Sequence, residues 1–289
     1  MRTRYMRKTM MIGALLVPIV FLYGATVIST ELGEFSNIIK GVLFSSSQAS
    51  LSALSLDDEE IINYLKLIQH AVILEYNSPT TNLKLDKNRH LHHAKFLLTN
   101  NAVVFGSMNF TKLSMYNDLN DAIIFYDKDV IHVFEDIFNS LWNGNKPKGE
   151  YKTNIGTFYI SPIFDIETVL YRILNKAKRE INIAIYAFTD MNIFGALKYL
   201  SSKGVKVKIA MDDWSERYIG KYPLEQFEVK IFKDVTLHHK FVIVDDSILL
   251  TGSANLTESA FRKNFEIIFV TEDKGIVHEY KKIFKSLWR

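Results

Sequence analysis

Residues 91–111 read LHHAKFLLTNNAVVFGSMNFT, and residues 237–257 read LHHKFVIVDDSILLTGSANLT. Each stretch sets a His-x-Lys triplet, His93-Ala94-Lys95 or His238-His239-Lys240, ahead of a Gly-Ser-x-Asn string. Lys95 precedes Ser107 by 12 positions and Lys240 precedes Ser253 by 13. One such string alone is a weak signal. Two, in chain order and in matched context, describe a duplicated half-site that becomes whole where the halves meet.

The duplication runs well beyond these strings. With an offset of 132, residues 25–65 lie without gaps on the segment ending at Leu197, so Asp58 falls on Asp190. Past the motifs the offset is 146, and residues 126–142 lie on the segment ending at Trp288. The second copy is longer by about a dozen residues, inserted ahead of its histidine motif. The chain therefore divides into a first repeat (25–142), a linker rich in Gly, Lys and Asn (143–155) and a second repeat (156–289), each repeat of ordinary domain size.

Both copies have the same order of elements. Residues 26–29 and 158–161 predict short strands, and 35–46 and 166–179 predict helices. The second of these carries Ile166, Val169, Leu170, Ile173, Leu174 and Ala177 at helical spacing. Residues 181–188 and 205–211 predict strands, joined by a helix that stops at Gly204. This strand–helix–strand order predicts right-handed crossovers and a largely parallel, covered sheet. Further strands fall at 240–245, 248–253 and 266–272, and a helix closes each copy. The class is α/β: two tandem repeats packed as a pseudo-twofold pair around one composite active site.

Composition narrows the chemistry only a little. A net charge of +3 forces no large basic field on the protein, although it suits a phosphate-bearing substrate. Forty-eight per cent apolar residues over 289 positions supports ordinary cores. The absence of Cys excludes disulfides and thiolate metal sites. Four of the first eight residues are Arg or Lys, and residues 9–30 carry no charge. That pattern predicts a signal peptide or membrane anchor over residues 1–24, its apolar core short for a full span, with the catalytic part outside the cytoplasm.

Alternate residues of a strand share a face, so His93 projects with Lys95 and His238 with Lys240, while His92, Ala94 and His239 turn away. Ser107 with Asn109, and Ser253 with Asn255, obey the same spacing. Where the halves meet, two imidazoles, two ammoniums, two hydroxyls and two amides converge. Such a donor-rich pocket suits a phosphodiester anion. One neutral histidine can attack phosphorus while the other, protonated, donates to the leaving oxygen and then activates water or an alcohol. Lys95, Lys240, Asn109 and Asn255 would hold the non-bridging oxygens, so neither metal nor cofactor is expected. Metal binding is the rival reading, because His90, His92 and His93 cluster and His238 adjoins His239. Strand alternation splits each His-His pair across two faces, and no carboxylate set of ligand type lies nearby. His132 and His278 are expected to be structural, as are Phe138, Phe284, Trp142 and Trp288; residues 212–214 either rim the site or form a turn.

HxK(x)4D followed by GSxN, present twice, resembles the phospholipase D superfamily over nearly all of residues 25–289. The resemblance implies a pair of α/β sandwiches with the site at their interface and metal-free turnover through a phosphohistidine. It also implies phospholipid or nucleic-acid substrates. The second copy is complete, with His238, Lys240, Asp245, Gly252, Ser253 and Asn255, and with Glu266 at the place of the family's downstream acid. The first copy has Asn100 in place of the Asp, and the Glu266 position is counted onto Ala122, with Asn120 and Asp121 beside it. The resemblance makes His93 the nucleophile and His238 the acid, and the missing acidic partners leave that order open. The compact two-repeat chain is more similar to the family's small nucleases than to its longer lipid synthases. A phospholipid hydrolase or phosphatidyltransferase, and a phosphate-binding module with a decayed first half, are the alternatives. With both half-sites in one chain, a monomer suffices.

Overall fold

A computed structural model describes residues 24–220 and 223–288. The expected signal peptide or anchor lies, except for Gly24, outside the described residues. The first repeat builds a seven-stranded sheet from β1 (Ala25–Ser29), β2 (Gln48–Ala53), β3 (Gln69–Leu74), β4 (Leu83–Leu85), β5 (Phe96–Thr99), β6 (Val103–Gly106) and β7 (Asp121–Phe125), in the order β1-β7-β6-β5-β2-β3-β4. The second sheet comprises β8 (Glu150–Thr153), β9 (Gly156–Ser161), β10 (Glu180–Ile185), β11 (Lys206–Asp212), β12 (Glu228–Phe232), β13 (Lys240–Val244), β14 (Ile248–Gly252) and β15 (Glu266–Thr271). Its order, β12-β11-β10-β13-β14-β15-β9-β8, repeats the first with one strand added at the edge. That added strand, β8, occupies part of the expected linker and pairs with β9 as a hairpin.

Only β2–β3–β4 and β10–β11–β12 pair in parallel; every other ladder is antiparallel. The expectation of a largely parallel sheet is thus corrected to a mixed one. Three residues join β5 to β6 and three join β13 to β14. Connections that short make hairpins, because a parallel crossover needs a dozen residues or more.

Four helices accompany the first sheet: α1 (Phe35–Phe44), α2 (Glu59–Leu65), α3 (Lys112–Tyr116) and α4 (Lys128–Trp142). Five accompany the second: α5 (Ile166–Leu174), α6 (Met191–Ser202), α7 (Asp213–Ile219), α8 (Glu258–Arg262) and α9 (Lys274–Leu287). The matched aspartates Asp58 and Asp190 do the same work. Each carboxylate accepts from two backbone N–H groups in the first turn of α2 or α6, satisfying donors that a helix start leaves orphaned. The extra length of the second copy falls in two places: α6 runs five residues longer than α2, and the connection between β11 and β12 carries α7.

Strand alternation sorts the core. Leu97 and Val104 face α1–α3, while Phe96 and Phe105 point into a central core shared by both repeats and filled by α4 and α9. In that core Phe125 packs on Phe269 at 5.3 Å, and Phe158 lies 5.2–5.9 Å from Phe134, Phe125 and Phe105. Each aromatic pair adds about 0.5–1.5 kcal/mol beyond its buried area, which binds the repeats into one unit. Phe138 and Trp142, and Phe284 and Trp288, close the ends of this core as expected.

Candidate active site

Each histidine motif reaches across the dyad. His93 N donates to Phe265 O (2.9 Å) and Phe265 N to Leu91 O (2.8 Å). In the mirror-related place His238 N donates to Leu119 O (2.9 Å) and Leu119 N to Thr236 O (2.8 Å). The backbone at each motif is thus zipped to Phe265, one residue before β15, or to Leu119, two residues before β7, of the opposite repeat. Each histidine is then oriented by a side chain it does not share a repeat with. His93 Nδ1 lies 2.8 Å from Glu266 Oε2, and His238 Nδ1 lies 2.8 Å from Asn120 Oδ1.

This geometry corrects the counting that set Ala122 opposite Glu266. Ser253 donates to Glu266 Oε2 (2.6 Å), and Ser107 donates to Asn120 Oδ1 (2.9 Å). Asn120 is the counterpart, at the same 146-residue offset that relates the two serines. Ala122 is buried in β7 against Ile28 of β1. Carrying the offset of the serines forward would have identified Asn120 from sequence. The serines brace the histidines' partners, and each also accepts from the backbone N–H of Asp121 or Ile267.

The hydrogen bonds settle the ring tautomers. Asn120 Nδ2 donates to Ser114 O (2.9 Å), so its Oδ1 faces His238, whose Nδ1 must donate. Glu266 accepts from Ser253 and Asn264 and, in the same way, from His93 Nδ1. Nε2 is left for substrate on both rings. The second shared feature is the lysine pair. Lys95 and Lys240 are buried, and each Nζ donates to the carbonyl of its own motif's histidine, at 2.5 and 2.7 Å.

Burial dominates the electrostatics. It drives Lys95 well below its ordinary range and Lys240 down to about 7, against the pull of Glu266. It also lowers His93, which Glu266 partly restores, and lowers His238 strongly, with Lys240, Lys95 and His93 adding to the effect. Glu266 is held below the carboxylate range: burial opposes its charge, but His93 and Lys95 outweigh it. Four cationic or potentially cationic groups around one carboxylate make a site that a bound anion would relax. The amides differ: Asn255 Oδ1 accepts from Ala187 N (3.2 Å), whereas Asn109 Oδ1 is buried without a protein partner.

Asp245 does not join the site. It ends β13 at φ 51°, and its carboxylate accepts from the backbone N–H groups of Lys178, Arg179 and Glu180 at 2.7–2.9 Å. The motif aspartate is a clamp on the turn before β10, and Asn100 at the matched place is an exposed turn residue. Asp245→Ala is expected to lower Tm by several degrees through loss of three N–H acceptors, with kcat/KM within twofold of wild type; thermal melts and steady-state assays check this.

The turned-away histidines are structural. His92 binds Ser52 Oγ (2.7 Å), stacks on Phe265 and is pushed by burial to about 3. His239 is clamped between Asp121 and Glu31. His132 pairs with Glu135 on the surface. Among the described residues no group of three or more His, Asp or Glu is placed to hold a metal ion.

Two α/β repeats sharing one two-histidine, two-lysine site define a phosphoryl-transfer architecture. The sequence pattern of the family described as cardiolipin synthase, PLD-like domain, matches residues 42–142 and 170–288. The chain therefore belongs to the phospholipase D superfamily of phosphodiesterases. It is 31% identical over 159 residues to the mitochondrial cardiolipin hydrolase of Xenopus tropicalis (46% of this chain, 75% of the relative). It is 28% identical over 134 residues to a phospholipase D of Rickettsia prowazekii (45% and 65%). The structure of phosphatidylserine synthase from Haemophilus influenzae shares the fold over 92% of this chain and 86% of that one, with a TM-score of 0.72 at 13% identity.

Proposed function

We propose that the protein hydrolyses nucleic-acid phosphodiester bonds through a phosphohistidine formed on His93. The observation that carries this is the pair of Nδ1-anchored histidines with unequal partners. When His93 Nε2 bonds to phosphorus, its ring becomes an imidazolium, which the Glu266 carboxylate stabilises. His238, backed by the neutral Asn120 amide, is the more acidic imidazolium and gives its Nε2 proton to the leaving oxygen as the P–O bond breaks. Neutral His238 then takes a proton from water, whose oxygen attacks phosphorus and displaces His93. Lys95 and Lys240 carry the charge on the non-bridging oxygens, with the Asn109 and Asn255 amides beside them.

Nucleic acid is favoured because the exposed residues entering both motifs are mostly polar: Lys87, Asn88, Arg89 and His90 before His93, with Leu91 the one exposed apolar residue among them, and Lys233 and Asp234 before His238. The names of the relatives, a cardiolipin hydrolase and a phospholipase D, support phospholipid as a second reading. The basic and then apolar N-terminus supports export or membrane anchoring, and one chain suffices for a complete site.

The test is acid-labile, base-stable labelling of the protein by a radiolabelled substrate, run with hydrolysis assays on single-stranded DNA, duplex DNA, RNA, cardiolipin and phosphatidylcholine in excess EDTA. Labelling is expected in wild type and absent in His93→Asn. Hydrolysis is expected to fall by about 10⁴-fold in His93→Asn and in His238→Asn. Intact turnover in either variant, or strict dependence on a divalent cation, sinks the shared-site mechanism.

A further inference from the structure

A run of aromatic rings leads away from His238. The Tyr186 ring centroid lies 5.2 Å from that of His238, with Lys240 Nζ 5.6 Å over the tyrosine ring. Trp214 stacks on Tyr186 at 5.9 Å and 21°, and Tyr218 follows at 4.5 Å and 37°. Tyr218, at the outer end, is 47% exposed. Trp214 and Tyr218 both belong to α7, which has no counterpart between β3 and β4 of the first repeat, so the ladder exists on one side of the dyad only.

The ladder is fixed to the catalytic machinery. Asp212 uses one carboxylate oxygen to cap α7 at Trp214 N (2.9 Å) and the other to accept from Leu237 N (3.0 Å), the residue before His238. Ser215 donates to Tyr186 O (2.7 Å) and accepts from Phe188 N (2.9 Å). These bonds hold α7 in register with the histidine. Beside the rings lies a cavity of about 320 Å³ edged by Arg217 and Lys233 and by Asp212, Asp213 and Asp234, at the small end of ligand pockets.

We infer that Tyr186, Trp214 and Tyr218 form a stacking subsite for an unpaired nucleobase on the leaving-group side of the scissile phosphate, making the enzyme selective for single-stranded nucleic acid. This rests on the phosphodiesterase reading above and on His238 being the proton donor. The chemistry follows from three features. Tyr186 and Trp214 stack and Tyr218, tilted by 37°, extends the run in one direction, whereas a site for a quaternary ammonium surrounds a common centre with ring faces. Asp213, Asp234, Arg217 and Lys233 at the edge make the cavity unsuitable for an acyl chain. A base in a duplex has both faces covered, so only an unpaired one can extend the ladder.

The experiment compares the full-length protein and its Tyr218→Ala and Trp214→Ala variants. The substrates are a single-stranded oligonucleotide, the same strand with an abasic residue on the leaving side of the cleaved phosphate, and cardiolipin vesicles. Wild type is expected to prefer the complete strand over the abasic one, and each variant to raise KM for the complete strand by about 5- to 150-fold and to narrow that preference. Tyr218 is half-exposed, so its removal tests the subsite even where Trp214→Ala fails to fold. Equal cleavage of both strands by wild type, or variants with unchanged KM, overturns the subsite while leaving the phosphodiesterase reading intact. Variants that lose only cardiolipin hydrolysis overturn the nucleobase assignment. A wild type inactive on every phosphodiester removes the reading on which the proposal stands, and is recognised by the absence of protein labelling.

Discussion

Glu266→Gln lowers kcat by about 10⁴-fold, the scale seen when a histidine-orienting carboxylate becomes an amide, while the protein stays folded. Glu266 Oε2 accepts from His93 and Ser253, and Oε1 accepts from Asn264 Nδ2 (3.2 Å). A glutamine has one acceptor oxygen for these three donors. Turned toward His93 and Ser253, it sets its NH₂ against the Asn264 amide; turned the other way, it offers His93 a donor and forces the wrong tautomer. In either pose the charge that stabilises the phosphohistidine is gone. His93 already sits below its ordinary range with the carboxylate in place, and the variant lowers it further, so the ring stays neutral. The loss therefore appears at every pH, and a pH profile that merely shifts would contradict it. The converse substitution, Asn120→Asp, gives His238 the charge it lacks. Burial holds His238 well below 6.5, and its proton is needed for the first step. The alkaline limb of kcat/KM is expected to move up by about one to three pH units. The new oxygen would face the Ser114 carbonyl, to which Asn120 Nδ2 now donates at 2.9 Å, and only the Ser114 hydroxyl at 3.2 Å can donate to it. The variant is therefore expected to lose some stability as well, and a thermal melt accompanies the pH profile.

Much of this site was legible because its determinants are local. The His-x-Lys and Gly-Ser-x-Asn strings survive as strings, and the motif glycines show why: a Cβ at Gly106 would meet Asp121 O at 2.2 Å, and one at Gly252 would meet Ile267 O at 2.3 Å. The caps Asp58 and Asp190 act within two or three residues of themselves, so the repeat offset alone identifies them. What was not legible depends on contacts across the dyad. No spacing rule says that Glu266 backs the histidine of the other repeat, because that pairing follows from the backbone bridges at Phe265 and Leu119. Asp245 misled for the opposite reason. It is chemically apt for catalysis and close in sequence to His238, yet the left-handed turn after Val244 sends it to the opposite end of β13. The aromatic ladder was visible only as Asp212-Asp213-Trp214, since a rim and a turn read alike until α7 is placed.

Asp121→Ala is expected to cost about 3–5 kcal/mol, the cost of breaking a buried ion pair from one side. Asp121 is fully buried in β7 and accepts from His239 Nδ1 (2.7 Å), Tyr280 OH (2.6 Å) and Thr251 Oγ1 (3.2 Å). His239 Nε2 reaches Glu31 Oε1 at 2.6 Å, so both ring nitrogens donate and the imidazole is charged. Burial opposes that charge, but Glu31 and Asp121 lift His239 to about 9. The dyad-related positions are apolar: Ile267 for Asp121, Ala94 for His239, Phe105 for Thr251 and Phe134 for Tyr280. One half of the interface is therefore oil and the other a polar chain, and the polar half is stable only when complete. Removing Asp121 alone leaves an imidazolium with one partner. In the double variant Asp121→Ala/His239→Ala, the second change should therefore add little, giving a coupling energy of about 2–3 kcal/mol by denaturant melts. Additive losses would show that the pair is not coupled. The pH dependence carries a second signature. His239, raised in the fold, contributes stability fully present below its unfolded value of 6.5 and lost as pH climbs through about 9. Glu31 is lowered, because His239 outweighs its burial, and contributes stability present above 4.5 and lost as pH falls through its depressed value. The lowered Lys95 and Lys240 add stability as pH rises over the same range, so the signature is the difference: the stability advantage of wild type over His239→Ala should shrink between pH 6.5 and 9.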